Sequence, residues 1–278
     1  MMDHKSIAIK IMQKLGYEVK RTKDKSKGCD HKIILLYTNK GNFVYRFCKN
    51  DKAIMSHAWA CKVWKDLPVP KTIIKKKHYL IETMIKGKDM SESKLTREQK
   101  LKIMKDLGKI LKKMHKVHTK RYGYLIAPGI GQVNSWKKYI MRLANSRLKK
   151  IKLESSLLKK TKAYLKKNDF LLDFKNPILL HKDINPENIM IKNHKLEGII
   201  DIGDAVSGDP IYEIATMYDR FRNYERIFPD TLVKSYGKIN QKRLRFYEVT
   251  NVIRRIWIRK QQGKPIKKYI KRLESFLS

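Results

Sequence analysis

Cysteine is scarce in this chain: Cys29, Cys48 and Cys61 are the three among 278 residues. Their number is odd and no pair has C-x-x-C spacing, which supports neither a disulfide framework nor a zinc site. A reducing compartment fits this usage. The eight histidines contain no H-E-x-x-H pattern. No apolar run approaches the ~18 residues that a membrane-spanning helix needs. The stretch from Met1 to Gly16 scatters charges where a secretory signal would place a continuous apolar segment. The expected location is cytoplasmic. Acid is scarce as well, with 26 Asp and Glu against 65 Lys and Arg, a formal net charge of +39. Such a balance suits nucleic acid, an acidic partner or an anionic surface. The basic residues are mostly lysines spread along the whole chain, however, and read as solvated helix faces. Nucleic acid is a possible partner but not the favoured one. Hydrophobic residues make up 42% of the chain, enough to build a core.

Ile7, Ile11, Met12 and Leu15 repeat at helical spacing until Gly16 stops them. A polar stretch from Lys20 to Asp30 leads into Ile33–Tyr37, a β-type run. A turn at Asn39–Asn42 and a return strand Phe43–Phe47 complete a hairpin. Ala53 to Leu67 reads as a helix closed by Pro68 and Pro70, and Thr72–Ile74 with Tyr79–Ile85 as another hairpin. Residues 1–86 therefore predict a small, mostly antiparallel sheet with one or two helices, with a boundary at Gly87. Residues 87–278 predict a mainly helical lobe. Apolar seams run through Leu101, Met104, Leu107, Leu111 and Met114, through Trp136, Ile140, Leu143, Leu148 and Ile151, and along Leu244 to Trp257. His115 and His118 read as packing or capping residues, and Trp136, Tyr139 and Tyr164 as core.

The chemically specific stretch is His181-Lys182-Asp183-Ile184-Asn185-Pro186-Glu187-Asn188, followed by Ile199-Ile200-Asp201-Ile202-Gly203-Asp204. Phosphoryl transfer requires an oriented hydroxyl, a group to take its proton and compensation of phosphate charge. Asp183 is the candidate base. Magnesium takes oxygen ligands, commonly one or two carboxylates with phosphate oxygens and waters. Asn188 and Asp201 are the candidate metal ligands. Ile189–Ile191 and Leu196–Ile200 around Asn193-His194 predict a hairpin that returns the chain to the same place.

These residues resemble the aminoglycoside phosphotransferase superfamily, the small-molecule branch of the protein-kinase-like fold that includes choline kinase. The resemblance rests on His181-x-Asp183-x-x-Pro186-x-Asn188, Ile200-Asp201-x-Gly203-Asp204-Ala205 and Gly208-Asp209-Pro210-x-Tyr212-Glu213-x-Ala215. Leu107-Gly108-x-x-Leu111-x-x-Met114-His115 resembles the helix ahead of the substrate region. No A-P-E segment follows, as a protein kinase would have. The resemblance implies an α+β bilobal fold, Mg2+, ATP or GTP as donor, and transfer to a hydroxyl of a small molecule. It implies Asp183 as base, Asn188 and Asp201 as metal ligands, and a structural role for Asp209 through backbone hydrogen bonds.

In the N-terminal lobe the resemblance puts a phosphate-covering loop at Gly28. It puts the phosphate-binding cation on the Phe43–Phe47 strand, where this chain has Arg46 in place of lysine. It puts the nucleotide hinge at Glu82, Thr83 and Met84. The acid that usually partners this cation is missing from Met55–Lys65. That gap motivates an alternative, a degenerate kinase scaffold acting as a basic nucleic-acid-binding or regulatory protein. The charge argues against a polycationic acceptor and for a neutral or anionic hydroxyl metabolite, or an uncharged antibiotic. Asp219 and Glu225 are the residues from which an acidic pocket could be built.

Overall fold

The computed structural model describes residues 3–26, 31–221 and 224–277. In chain order its strands are β1 (Val19–Asp24), β2 (His31–Thr38), β3 (Gly41–Cys48), β4 (Thr72–Lys75), β5 (Tyr79–Thr83), β6 (Lys88–Asp89), β7 (Tyr122–Ala127), β8 (Ile130–Val133), β9 (Ile178–Leu180), β10 (Ile189–Lys192), β11 (Lys195–Ile199) and β12 (Val206–Gly208). The helices are α1 (His4–Lys14), α2 (Asp51–Val63), α3 (Arg97–Met114), α4 (Trp136–Ile151), α5 (Ser155–Lys167), α6 (Pro210–Arg220), α7 (Ile227–Tyr236), α8 (Gln241–Gln261) and α9 (Lys267–Leu277). They fall into two compact units. The first takes in the chain through Lys94 with Ile126–Pro128 and Glu187–Ala205, and the second takes in the remainder.

The first unit is built on an antiparallel sheet in the order β1-β2-β3-β5-β4. Its inward positions, Ile34, Leu36, Phe43, Tyr45 and Ile81, pack on Ala8 and Met12 of α1. The period of two along the strands puts these side chains on one face. Strand β1 lies where the sequence reads as a polar stretch. It has a single apolar residue, Val19, and it pairs on one side with β2. At a sheet edge, charged side chains are the expected composition, so β1 carries no alternating apolar signal. Helix α2 starts at Asp51, before the expected Ala53, because the Asn50 side chain caps it by accepting from the Lys52 N–H at 3.1 Å. It ends at Val63, short of the expected Leu67, where the Leu67 N–H turns back to the Trp64 carbonyl at 2.8 Å.

The sequence suggests a single boundary at Gly87, but the contacts carry the first unit to Lys94 and bring the β10–β11 hairpin into it. The reason is strand pairing. β6 joins β10 through Met190 opposite Asp89 and Ile191 opposite Lys88. The Ile199 N–H also donates to the Pro68 carbonyl at 2.8 Å.

The second unit has a helical core with a four-stranded sheet in the order β8-β7-β12-β9. Trp136, Tyr139, Ile140 and Leu148 of α4 pack with Tyr247, Val249 and Ile253 of α8 in one cluster. The apolar seam of α3 is buried at Ile103, Met104, Leu107, Leu111 and Met114. A Cβ at Gly108 would stand 2.0 Å from Ser235 Oγ and 2.4 Å from the Leu232 carbonyl oxygen, so only glycine lets α3 approach α7 this closely. Strands β7 and β8 interrupt a region that reads as helical. They turn at Pro128-Gly129, with Gly129 at φ +71°, and a proline-glycine pair is a turn signal.

Candidate active site

Within the first unit, the β10–β11 hairpin positions the candidate metal ligands. Its turn holds Asn193 and His194 at φ +50° and +58°, the left-handed pair that matches the twist of a two-residue hairpin. The register places Ile189 opposite Ile199, and the Ile200 N–H donates to the Asn188 carbonyl at 2.9 Å. Asn188 and Asp201 thus flank the open end of one hairpin. Asn188 is buried. Asp201 sits at φ +66°, a conformation that aspartate tolerates better than most residues, and its side chain is about half exposed. A carboxylate and an amide oxygen are hard donors that suit magnesium rather than a thiolate-seeking metal.

Arg46 on β3 is tied to this hairpin. Its Nη1 lies 3.2 Å from Asp201 Oδ1 and its Nε lies 2.6 Å from Glu82 Oε1. With 13% side-chain exposure it is not a free surface arginine. The acid missing from Met55–Lys65 is therefore supplied by β5. Glu82 is fully buried, and its second oxygen lies 2.6 Å from Nε2 of His57 on α2. Burial opposes ionisation of both partners, but their attraction outweighs it. His57 is raised to about 10, chiefly by Glu82. Glu82 is lowered to about 2 by His57 and Arg46. Burial also works against the Arg46 cation, and Glu82 and Asp201 reverse it so that the guanidinium is held more firmly charged. Cys61, His57 and Glu82 offer three donor atoms within 4.8 Å of one another. With its oxygens already bonded to two cations, Glu82 makes this an ion-pair centre.

Two further residues expected around the nucleotide, Glu82 and Met84, make the following contacts. The Glu82 carboxylate faces Arg46, while its backbone lies in the ladder opposite Val44 and Thr72. The Met84 N–H donates to the Asn42 carbonyl at 3.0 Å. Gly28 lies outside the described residues.

Within the second unit, the buried strand β9 delivers the loop that carries Asp183. Lys182 stands at φ +70°, and its N–H donates to Glu213 Oε1. Glu213 is buried and also bonds His115 Nε2 at 2.7 Å, while His115 Nδ1 meets the Tyr236 hydroxyl at 2.9 Å. Burial raises the Glu213 pKa, but hydrogen bonding and charge from His115 win and lower it. His115 is thus part of the scaffold that fixes the loop, a role read from sequence only as packing or capping. Asp183 takes its N–H to His181 Nδ1 at 3.3 Å. Its carboxylate accepts from Asn185 Nδ2 at 3.3 Å and from Arg220 Nη2. Asp209 is fully buried. It caps α6 by accepting from the Ile211 N–H at 2.9 Å and holds the Tyr247 hydroxyl at 2.8 Å. Trp136 Nε1 donates to that same hydroxyl at 2.6 Å. Gly208 lies under the Trp136 ring, whose atoms would be 2.5 Å from any Cβ there.

A family model described as the phosphotransferase enzyme family matches residues 30–247. The chain belongs to this family. None of the curated proteins matched it. Solved structures share the fold of this phosphotransferase over nearly its whole length. A thermostable mutant of aminoglycoside phosphotransferase APH(4)-Ia, in ternary complex with AMP-PNP and hygromycin B, is 17% identical with a TM-score of 0.72, covering 98% of each chain. A GDP complex of an aminoglycoside 2'-phosphotransferase-IIIa mutant is 16% identical with a TM-score of 0.72, covering 99% of this chain and 97% of that one. Macrolide 2'-phosphotransferase MphH from Brachybacterium faecium is 12% identical with a TM-score of 0.67, covering 98% and 97%. The fold class is therefore kinase-like, with a β-sheet N-terminal lobe and a helical C-terminal lobe.

Proposed function

We propose that this phosphotransferase moves the γ-phosphate of a nucleoside triphosphate to a hydroxyl of a small molecule and requires magnesium. The observation that carries the proposal is the convergence of Asn188, Asp201 and Arg46: two hard oxygen donors beside a guanidinium fixed by a buried acid. Asn188 and Asp201 would hold the magnesium, which neutralises phosphate charge and aligns the phosphates when bound. Arg46 would hold phosphate oxygens through its planar fork. Asp183 would accept the acceptor's proton as the acceptor oxygen bonds to phosphorus and the bond to the departing nucleoside diphosphate breaks.

The degenerate-scaffold alternative draws on the acid missing from Met55–Lys65. Glu82 fills that gap from β5, which favours the catalytic reading. Solved relatives containing AMP-PNP and GDP support a nucleotide donor and leave ATP and GTP both to be tested. The test is calorimetry of ATP and GTP binding with and without magnesium, wild type beside Asp201→Ala, at moderate salt so that general attraction to a basic protein is screened. Binding that needs both magnesium and Asp201 is the expected result. Binding indifferent to both would overturn the proposal.

A further inference from the structure

The surroundings of Asp183 in the second unit are rich in guanidinium. Arg220, at the end of α6, donates to the Asp183 carboxylate. Its neighbour Asp219 is taken up by Arg255 of α8, whose Nε lies 3.2 Å from Oδ2. Arg254, next to Arg255, interacts with Arg220 on α6 and with Arg147 on α4 by charge repulsion. Arg147 stands over the Trp257 ring at 6.0 Å. Asp183 is thus matched by Arg220 and Asp219 by Arg255. Among the described residues, neither Arg147 nor Arg254 forms an ion pair.

The hydrogen-bonding pattern points the same way. Asn251 Nδ2, Arg254 Nη1 and Trp257 Nε1 are buried and lack partners, as does Arg220 Nε. The first three recur every three residues along α8, the helix that packs on both α6 and α4. Asn251 itself is 3% exposed. Every one of these groups is a donor. A buried donor left unpaired costs about 1–3 kcal/mol, so a set composed of donors alone, beside unpaired guanidinium, calls for a ligand made of acceptors. Burial weakens the Arg147 cation, and repulsion from Arg254 adds to that effect. The residues from which an acidic pocket could be built do not form one: Asp219 is neutralised by Arg255, and Glu225 is exposed and lies 3.5 Å from Arg97.

We propose that the acceptor of this phosphotransferase is an alcohol that also carries an anionic group, a phosphate monoester or a carboxylate, held by Arg147, Arg254 and Arg220 beside Asp183. This rests on the kinase reading above and names its substrate class. Paired forks of Arg147 and Arg254 match oxyanion geometry. Arg220 is shared between the anion and Asp183, so an arriving anion draws it from the carboxylate that must take the proton.

The test uses the whole chain and two probes, radiolabelled inorganic phosphate and acetate, in equilibrium dialysis at fixed ionic strength. Arg147→Gln/Arg254→Gln is compared with Lys149→Gln/Lys150→Gln, a control with the same loss of charge on exposed positions of α4. Phosphate held at Arg46 is common to both variants and cancels. The arginine variant should weaken binding of at least one probe by roughly tenfold to a hundredfold while the lysine variant matches wild type. The stronger probe identifies phosphate or carboxylate as the anionic group. Unchanged binding in the arginine variant, or an equal loss in the lysine control, overturns the proposal. Should the glutamine pair fail to fold, Arg147→Lys/Arg254→Lys keeps the charge and removes the forks. Severalfold weaker binding then supports the proposal, and wild-type affinity overturns it. Magnesium-dependent nucleotide binding by the wild type tests the kinase reading separately, so the two failures are distinguishable. A higher kcat/KM for an aminoglycoside than for any anionic alcohol would leave a kinase with this inference refuted.

Discussion

Glu82 is the residue on which the first unit's charge balance turns, because it joins Arg46 to His57. Removing one partner of a buried ion pair leaves the other uncompensated. Glu82→Gln strands buried His57 and leaves Arg46 with Asp201 as its partner, and is expected to cost ~3–5 kcal/mol, read by urea denaturation, with nucleotide affinity falling as Arg46 loses its buried anchor. The pH dependence follows from the same centre. His57 is raised from 6.5 to about 10 in the fold, so its contribution is complete below 6.5 and is lost as pH rises through 10. Glu82 is depressed, so its contribution is present above 4.5 and is lost as pH falls toward 2. Urea midpoints measured from pH 6 to 10 should decline in wild type and flatten in His57→Gln. The centre was not legible in the sequence, whereas the motif that puts forward Asp183, Asn188 and Asp201 as candidates was. The latter lie close together in a fixed motif. Arg46 and Glu82 meet only through strand register: Leu80 faces Arg46, and Glu82, two residues on, shares its side of the sheet. No local pattern announces such a pair.

At the scale of elements, the β10–β11 hairpin was legible because two apolar runs flank a short polar pair. Edge strand β1 was not, because an edge needs no apolar alternation. The hairpin keeps a non-glycine residue, exposed His194, in the left-handed region. Relief of that strain makes His194→Gly stabilising by about 1 kcal/mol, measured as a higher urea midpoint with an unchanged slope. Gly108 behaves oppositely. Its neighbours across the α3–α7 contact include a backbone carbonyl that cannot move aside alone. Gly108→Ala should force the helices apart and destabilise by about 1–3 kcal/mol, despite alanine's better helix propensity. A stabilising Gly108→Ala would show that the close approach is not maintained in solution.

For the whole molecule, the governing quantity is the net charge of +39. Most of it sits on exposed lysines of helix faces, where like charges repel one another and oppose the compact state. Salt screens that repulsion, with a Debye length of about 10 Å at 0.1 M and about 3 Å at 1 M. Melting temperature is therefore expected to rise as sodium chloride is raised across this range, whereas a fold held chiefly by exposed ion pairs would melt lower. The same field attracts polyanions without any site, so affinity for RNA or DNA should fall steeply with salt. That affinity should also be equal in wild type and Asp183→Asn, because it depends on the lysine surface and not on the candidate base. Phosphoryl transfer should divide the two proteins completely, and nucleotide binding should not. If both proteins instead bound RNA tightly at moderate salt while wild type transferred no phosphate, the basic surface would be the working site and the kinase-like loop its scaffold.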